Sequence, residues 1–202
     1  GTGALHLNTT GGSNVALGFK SLFQNTTANH NIGIGHEALE NTTTGDSNTA
    51  VGGVALETNT TGSFNVAMGK YALNGNTTGC RNTGLGYAAL IYNTTGIYNT
   101  AVGACALYNN TTGRNTAIGF MSMTANTTGT KNTASGIYSL CKNTTGSGNT
   151  ASGYMALLKN TTGHSNTSSG QYSMTDNTTG ILNTAFGSCS LHANTTGTEN
   201  TA

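Results

Sequence analysis

The stretch Asn143–Lys159, NTTGSGNTASGYMALLK, decides the fold, because close copies of it fill the rest of the chain. Its opening Asn-Thr-Thr returns at Asn160 and again at Asn177, and the step of 17 residues holds almost throughout. The consensus is N-T-T-G-x-x-N-T-A-x-G-x-x-A-L-x-x, whose positions we number 1 to 17. Self-similarity at a fixed period is the signature of a repeat architecture.

Two local irregularities interrupt the period. Thr42 takes position 1 after a displaced Asn41, and the coil that starts at Asn110 is one residue short between Gly113 and Asn115. The frame is restored within one repeat in both cases. The sequence therefore predicts a single continuous array over residues 1–202.

Position 15 is Leu or Met in every copy, which predicts a buried row. We call this row the core ladder: Leu22, Leu39, Leu56, Leu73, Leu90, Leu107, Met123, Leu140, Leu157, Met174 and Leu191. Position 10 is mostly apolar, from Leu17 to Ile118, so it is predicted to be mostly buried, with a polar lapse at Ser135, Ser152 and Ser169. Position 8 is β-branched, which favours a strand, and lies on the same strand face. Positions 9 and 11 are small, which predicts a bend or a close backbone on the opposite face.

Each repeat thus predicts a strand around N-T-A-x-G, a second strand around x-x-A-L-x, and an N-T-T-G turn. Helix is disfavoured because no 3.6-residue apolar period is sustained. We predict an all-β fold, a rod-like β-solenoid (β-roll or β-helix) of about 12 coils that rise by about 4.8 Å each. Gly1 falls at position 11 and Ala202 at position 9, so we expect an uncapped segment of a longer fibre.

Composition narrows the classes of partner. Only 6% of the 202 residues are charged and the formal net charge is +1, which predicts no nucleic-acid binding. No stretch approaches the ~20 apolar residues of a membrane span. Cys80, Cys105, Cys141 and Cys189 have no CxxC or paired spacing, so we expect neither a metal site nor a disulfide framework. No cofactor is predicted.

The motifs resemble a known family. Asn14-Val15-Ala16-Leu17-Gly18, Asn65-Val66-Ala67-Met68-Gly69 and Asn115-Thr116-Ala117-Ile118-Gly119 resemble the N-[ST/V]-A-[ILV]-G unit of trimeric autotransporter adhesin heads. The whole array also resembles repeats of phage tail fibres. The resemblance implies a β-roll, a parallel homotrimer, and an extracellular or virion-surface location with a role in projection or host contact. The adhesin-head repeat is shorter, and the N-T-T-G turn is the added length.

Every Asn-Thr-Thr is also an N-glycosylation acceptor pattern. The candidate sites are Asn8, Asn25, Asn41, Asn59, Asn76, Asn93, Asn110, Asn126, Asn143, Asn160, Asn177 and Asn194, to which Asn109 and Asn166 add related patterns. The alternative is that this column is a turn residue that stacks on itself. Columns of identical Asn and Thr can form hydrogen-bonded ladders between coils.

Few residues suggest other chemistry. Glu40 and Glu57 share position 16 in adjacent coils, the one pair with the carboxylate separation of a glycosidase, but nothing around it predicts a cleft, so we expect no enzyme. The five histidines are scattered, which disfavours a metal site. An ice-binding Thr array is disfavoured because Val15, Ile32 and Val66 interrupt it.

Two functions remain open. The first is a structural extracellular fibre, an adhesin or tail-fibre shaft, for which glycan decoration of the Asn-Thr-Thr column is the open alternative. The second is a receptor- or carbohydrate-binding module that uses aromatic side chains at positions 12 and 13: Phe19, Tyr71, Tyr87, Phe120, Tyr138, Tyr154 and Tyr172.

Overall fold

A computed structural model describes all 202 residues of the chain. It contains one parallel sheet of 11 strands that follow one another in chain order. The strands are β1 (Val15–Leu17), β2 (Ile32–Ile34), β3 (Thr49–Val51), β4 (Val66–Met68), β5 (Thr83–Leu85), β6 (Thr100–Val102), β7 (Thr116–Ile118), β8 (Thr133–Ser135), β9 (Thr150–Ser152), β10 (Thr167–Ser169) and β11 (Thr184–Phe186). There is no helix.

Neighbouring strands pair in register, residue for residue. Val15 pairs with Ile32 at one end of the sheet, and Thr167 pairs with Thr184 at the other. One turn of backbone therefore lies directly over the next. The predicted β-solenoid of 17-residue coils is confirmed, and its roughly 10 turns are close to the expected 12.

The connections carry most of the backbone hydrogen bonds. Only 20 of 137 such bonds lie within strands, and the other 117 join turns and connecting segments. The predicted second strand is wrong, because positions 13 and 15 adopt left-handed backbone, with φ of +54° at Ala88 and +56° at Leu90. Such residues cannot continue an extended strand, yet their N–H groups still bond to adjacent coils.

The interior contains the core ladder, as predicted. Its members from Leu22 to Met174 are fully buried, and Leu191 is partly buried against them. The residue that faces this ladder is the small one at position 9, in the middle of each strand, such as Ala101 and Ala134. The predicted burial of position 10 is wrong: Leu17 is 62% exposed, and Val15, at position 8 on the same face, is 50% exposed.

The narrowness of the coil explains this inversion. A Cβ added at Gly84, which occupies position 9, would lie 3.3 Å from Cγ of Leu73. A methyl group therefore already fills the space between the strand and the core ladder. Only Ala, Gly or Ser fits at position 9, and the larger residues at positions 8 and 10 point outward.

Glycine is required at position 11 on two counts. Gly86 has φ of +131°, and a Cβ there would lie 2.7 Å from the carbonyl carbon of Gly103 on the next coil. The predicted close approach of backbone at this column is confirmed.

The short coil loses its residue earlier than the sequence predicted. The carbonyl of Thr112 accepts hydrogen bonds from Nδ2 of Asn99 and of Asn110, which in regular coils go to the glycine at position 4. Thr112 therefore occupies position 4 and Gly113 occupies position 5, so the Asn-Thr-Thr turn itself is one residue shorter. Strand pairing survives, because Thr100 pairs with Thr116.

Candidate functional surfaces

The asparagines at position 1 point into the coil and form a ladder. Nδ2 of Asn76 donates to Oδ1 of Asn59 on the preceding coil at 2.8 Å, and to the carbonyl of Gly79 in its own turn at 3.0 Å. The same pair of bonds recurs at Asn143 and Asn160. Each amide thus closes its own turn and ties two coils together.

A second ladder runs along position 7. The backbone N–H of Asn82 donates to Oδ1 of Asn65 at 3.0 Å, while Nδ2 of Asn65 donates to the carbonyl of Gly79 at 2.8 Å. The ladder continues through the short coil, where the N–H of Asn115 bonds to Oδ1 of Asn99. The predicted Asn ladders are confirmed, although the sequence did not show that they lie inside the coil.

This arrangement corrects the glycosylation prediction. The side chains of nine candidate asparagines are fully buried: Asn25, Asn59, Asn76, Asn93, Asn110, Asn126, Asn143, Asn160 and Asn177. A sugar must be attached through Nδ2, which in these residues is a buried donor with no room beside it. The prediction is wrong for these nine and for buried Asn166. Asn8, Asn41, Asn109 and Asn194 are partly exposed, and for them it stays a prediction.

We call the surface formed by positions 8 and 10 of β1–β11 the outer sheet face. From β1 to β7 it presents Val, Ile, Leu, Met and Thr, and Met68 and Ile118 are 46% and 45% exposed. From β8 to β10 both positions are Thr or Ser. No charged residue occurs on this face.

The aromatic residues at positions 12 and 13 pair between adjacent coils. Tyr71 meets Tyr87 edge-to-face at 5.9 Å, and Tyr154 meets Tyr172 at 5.4 Å. Position 12 of the coil after Tyr87 is the small Ala104. A cavity of about 400 Å³ opens in this region, lined by Tyr87, Cys105, Tyr108, Asn109, Met121 and Thr124.

Tyr108 forms one wall of this cavity and also pairs edge-to-face with Tyr92 at 5.2 Å. The pKa of Tyr108 is raised, mainly by a hydrogen bond with Tyr92 and to a smaller extent by burial. The cavity thus combines the aromatic walls of Tyr87 and Tyr108 with the polar side chains of Asn109 and Thr124.

The predicted proximity of Glu40 and Glu57 is confirmed. Carboxylate oxygens of Glu37, Glu40 and Glu57 lie within 4.8 Å of one another, an oxygen set that can hold a divalent cation. Lys20 already pairs with Glu40 at 3.0 Å, and this hydrogen bond raises the pKa of Lys20. Nδ2 of Asn74 donates to Glu57 at 2.8 Å. Both cavities of the chain lie elsewhere.

The remaining candidate ligands are dispersed. No histidine belongs to a group that can share a metal ion. His6 stacks on Phe23 and His36 stacks on Phe19, each at 5.2 Å. All four cysteines are free, and burial raises the pKa of the Cys141 thiol.

Stacked coils, a narrow apolar interior of leucine and alanine rows, and two asparagine ladders define the class of protein, a parallel β-solenoid. The chain contains no helix with the length and apolar character needed to cross a membrane. Comparison of the chain with protein families, curated proteins and solved structures yields no match. The likeness to adhesin heads and tail fibres therefore rests on the repeat motifs.

Proposed function

We propose that this chain is a structural segment of an extracellular fibre, as in the shaft of an adhesin or a phage tail fibre, and that it works without catalysis. The observation that carries the proposal is the outer sheet face. Between β1 and β7 this face leaves apolar side chains in water on a regular, elongated surface. An exposed apolar surface that continues over seven adjacent strands is typical of an interaction site.

The occupant of this face that fits best is another copy of the same chain. The face carries no charge along its length, and depletion of charge is typical of the centre of protein interfaces. Because its features repeat with the coil spacing, a second copy in parallel orientation meets every coil with the same chemistry. Three copies around one axis cover each face, so we propose a parallel homotrimer.

The mass of the protein in solution tests this assembly. A trimer has three times the 20.4 kDa mass of the chain. We expect the double substitution Met68→Lys and Ile118→Lys to give monomers, because two buried ammonium groups per chain are costly at an interface. Thr61→Lys with Thr128→Lys adds the same charge on exposed turns and should leave the trimer intact. A wild-type protein with β circular dichroism and the mass of one chain would contradict the proposal.

A second candidate function is a receptor- or carbohydrate-binding module. The observation in its favour is the aromatic cavity between Tyr87 and Tyr108, whose walls suit the apolar face of a sugar ring. Under this proposal the rod presents the aromatic columns and the cavity to a surface glycan.

Binding to a panel of neutral glycans separates the two candidates. Tyr87→Ala and Tyr108→Ala should each abolish binding at the cavity, whereas Phe186→Ala on the outer sheet face should not change it. If Tyr138→Ala and Tyr154→Ala weaken binding equally, the whole aromatic column is the site. Absence of binding to every glycan on the panel would leave the structural function alone.

A further inference from the structure

The formal net charge of +1 hides a strong separation of charge along the rod. Between Glu57 and Asp176 the chain contains no acidic residue. The same segment contains six of its seven basic residues: Lys70, Arg81, Arg114, Lys131, Lys142 and Lys159. The middle of the rod is therefore strongly positive, a feature that attracts anionic partners.

Three of these cations share one column. Arg81, Arg114 and Lys131 all occupy position 6, at the edge of the turn, and all three are exposed. We call them the basic row. Arg114 and Lys131 lie on adjacent coils, about 4.8 Å apart along the rod. None of the three has a salt-bridge partner, in contrast to Lys159, which pairs with Asp176 at 2.8 Å.

Arg81 is held in place by aromatic neighbours. Its guanidinium lies over the ring of Phe64 at 5.4 Å and over that of Tyr98 at 5.6 Å. These rings come from the same column on the two flanking coils. Cation–π contacts restrain the side chain while they leave guanidinium donors free for an anion.

A depression of about 210 Å³ lies beside the basic row, next to the shortened turn. It is lined by Ile97, Gly113, Arg114, Thr130 and Lys131. The N–H groups of Ile97 and Gly113, both at position 5, form no hydrogen bond within the protein. The depression therefore brings together two cationic side chains and two free backbone donors.

The same backbone position binds an anion elsewhere in this chain. The N–H of Asn29, also at position 5, donates to the carboxylate Oδ1 of Asp46 at 2.6 Å. The N–H of Thr130 donates to the hydroxyl of Ser147 in the same way. Position 5 thus offers an N–H donor that a side chain of the next coil fills in five coils, at Gly12, Asn29, Asp46, Ser63 and Thr130. At Ile97 and Gly113 no side chain fills it.

We propose that the basic row binds a sulfated or carboxylated polysaccharide, with one sulfate or carboxylate group in the depression between Gly113, Arg114 and Lys131. The row follows the rod axis, so a linear polyanion can contact several coils. No free aromatic face lines the depression, which disfavours the base stacking used by single-stranded nucleic acids. This inference does not depend on the proposed trimer or on the aromatic cavity.

A size-defined heparin fragment is the probe, measured by calorimetry near physiological salt with the oligomeric state recorded for every sample. We expect Arg114→Ala with Lys131→Ala to weaken binding by about tenfold or more, because two charge-assisted contacts are lost. Lys142→Ala with Lys159→Ala removes the same charge at position 17. It should weaken binding by less than about twofold, because only screened, long-range electrostatic attraction is lost. Equal losses in the two double variants would overturn the proposal.

A second variant separates shape from charge. Insertion of one serine between Gly113 and Arg114 restores the N-T-T-G-x-x spacing of the regular turn and keeps every cation. We expect it to close the depression and to weaken heparin binding several-fold. If the insertion variant binds heparin as well as the wild type does, the placement of the site is wrong. If the wild-type protein does not bind heparin, the whole proposal is wrong. If the wild-type protein binds single-stranded DNA equally tightly, the assignment to glycans is wrong.

Discussion

Thr42 lies between Asn25 and Asn59 in the buried column at position 1, and it leaves Oδ1 of Asn25 as the one buried side-chain polar atom without a hydrogen-bond partner. In other coils this oxygen accepts from the asparagine of the next coil, as Asn59 accepts from Asn76. The hydroxyl of Thr42 accepts only a long bond of 3.4 Å from Asn59. The ladder is therefore broken at one coil.

Thr42→Asn should repair this break. Its Nδ2 would donate to Asn25 Oδ1 and its Oδ1 would accept from Asn59, which removes an unsatisfied buried acceptor worth about 1–3 kcal/mol. We expect the midpoint of thermal unfolding to rise by about 2–4 °C for each kcal/mol gained. Thr42→Val, which keeps the shape without any donor, should give no rise. An unchanged or lower midpoint for Thr42→Asn would contradict the ladder geometry.

Asn143→Ala should reproduce the defect in an intact part of the ladder. It leaves Oδ1 of Asn126 without a hydrogen-bond donor, because that donor is Nδ2 of Asn143 at 2.7 Å. It also leaves a small cavity. We expect a loss of about 1–3 kcal/mol in unfolding free energy, measured by denaturant titration. The exposed neighbour Lys142→Ala is the matched control and should change stability by less than about 0.5 kcal/mol. Equal effects would show that position 1 does not face the interior.

The core ladder and the outer sheet face should respond differently to truncation. Leu90→Ala removes a fully buried side chain and should cost about 2–5 kcal/mol. Met68→Ala shortens a side chain that is 46% exposed, so the fold of one chain should lose less than about 1 kcal/mol. Comparison at low protein concentration, where any assembly dissociates, isolates the effect on the coil. A larger loss for Met68→Ala would reverse the assignment of inside and outside.

The sequence predicted the parts of the fold that depend on the column pattern. Because Leu recurs at one position from Leu22 to Leu191, the buried row and the coil period followed directly, as did the place of Thr42 in the asparagine column. The column pattern did not show which face of each strand points into the coil and which points into water. Alternation within three residues fits either orientation, and only the distance between Leu73 and the backbone at Gly84 decides between them.

The candidate sites were harder to predict for a related reason. An Asn-Thr-Thr triplet is the same motif whether its amide points into water or into the coil, so the burial of Asn143 required the coil geometry. The basic row was missed because net charge averages over the chain, although the absence of acids between Glu57 and Asp176 was visible in the sequence. The free N–H of Gly113 depends on the hydrogen-bond pattern of the short turn, which composition does not reveal.

Position 6 offers a test of the left-handed backbone that the sequence did not predict. Ser165 has φ of +57° there, whereas the preceding coil has Gly148 with φ of +69°. A residue with a Cβ is strained in this region and glycine is not, although glycine loses more freedom on folding. We expect Ser165→Gly to raise unfolding free energy by up to about 1 kcal/mol and Gly148→Ser to lower it similarly. Thr162 is an exposed turn residue whose backbone is not left-handed, so Thr162→Gly should instead lower the unfolding free energy. If both glycine substitutions destabilise equally, position 6 does not adopt left-handed backbone in solution.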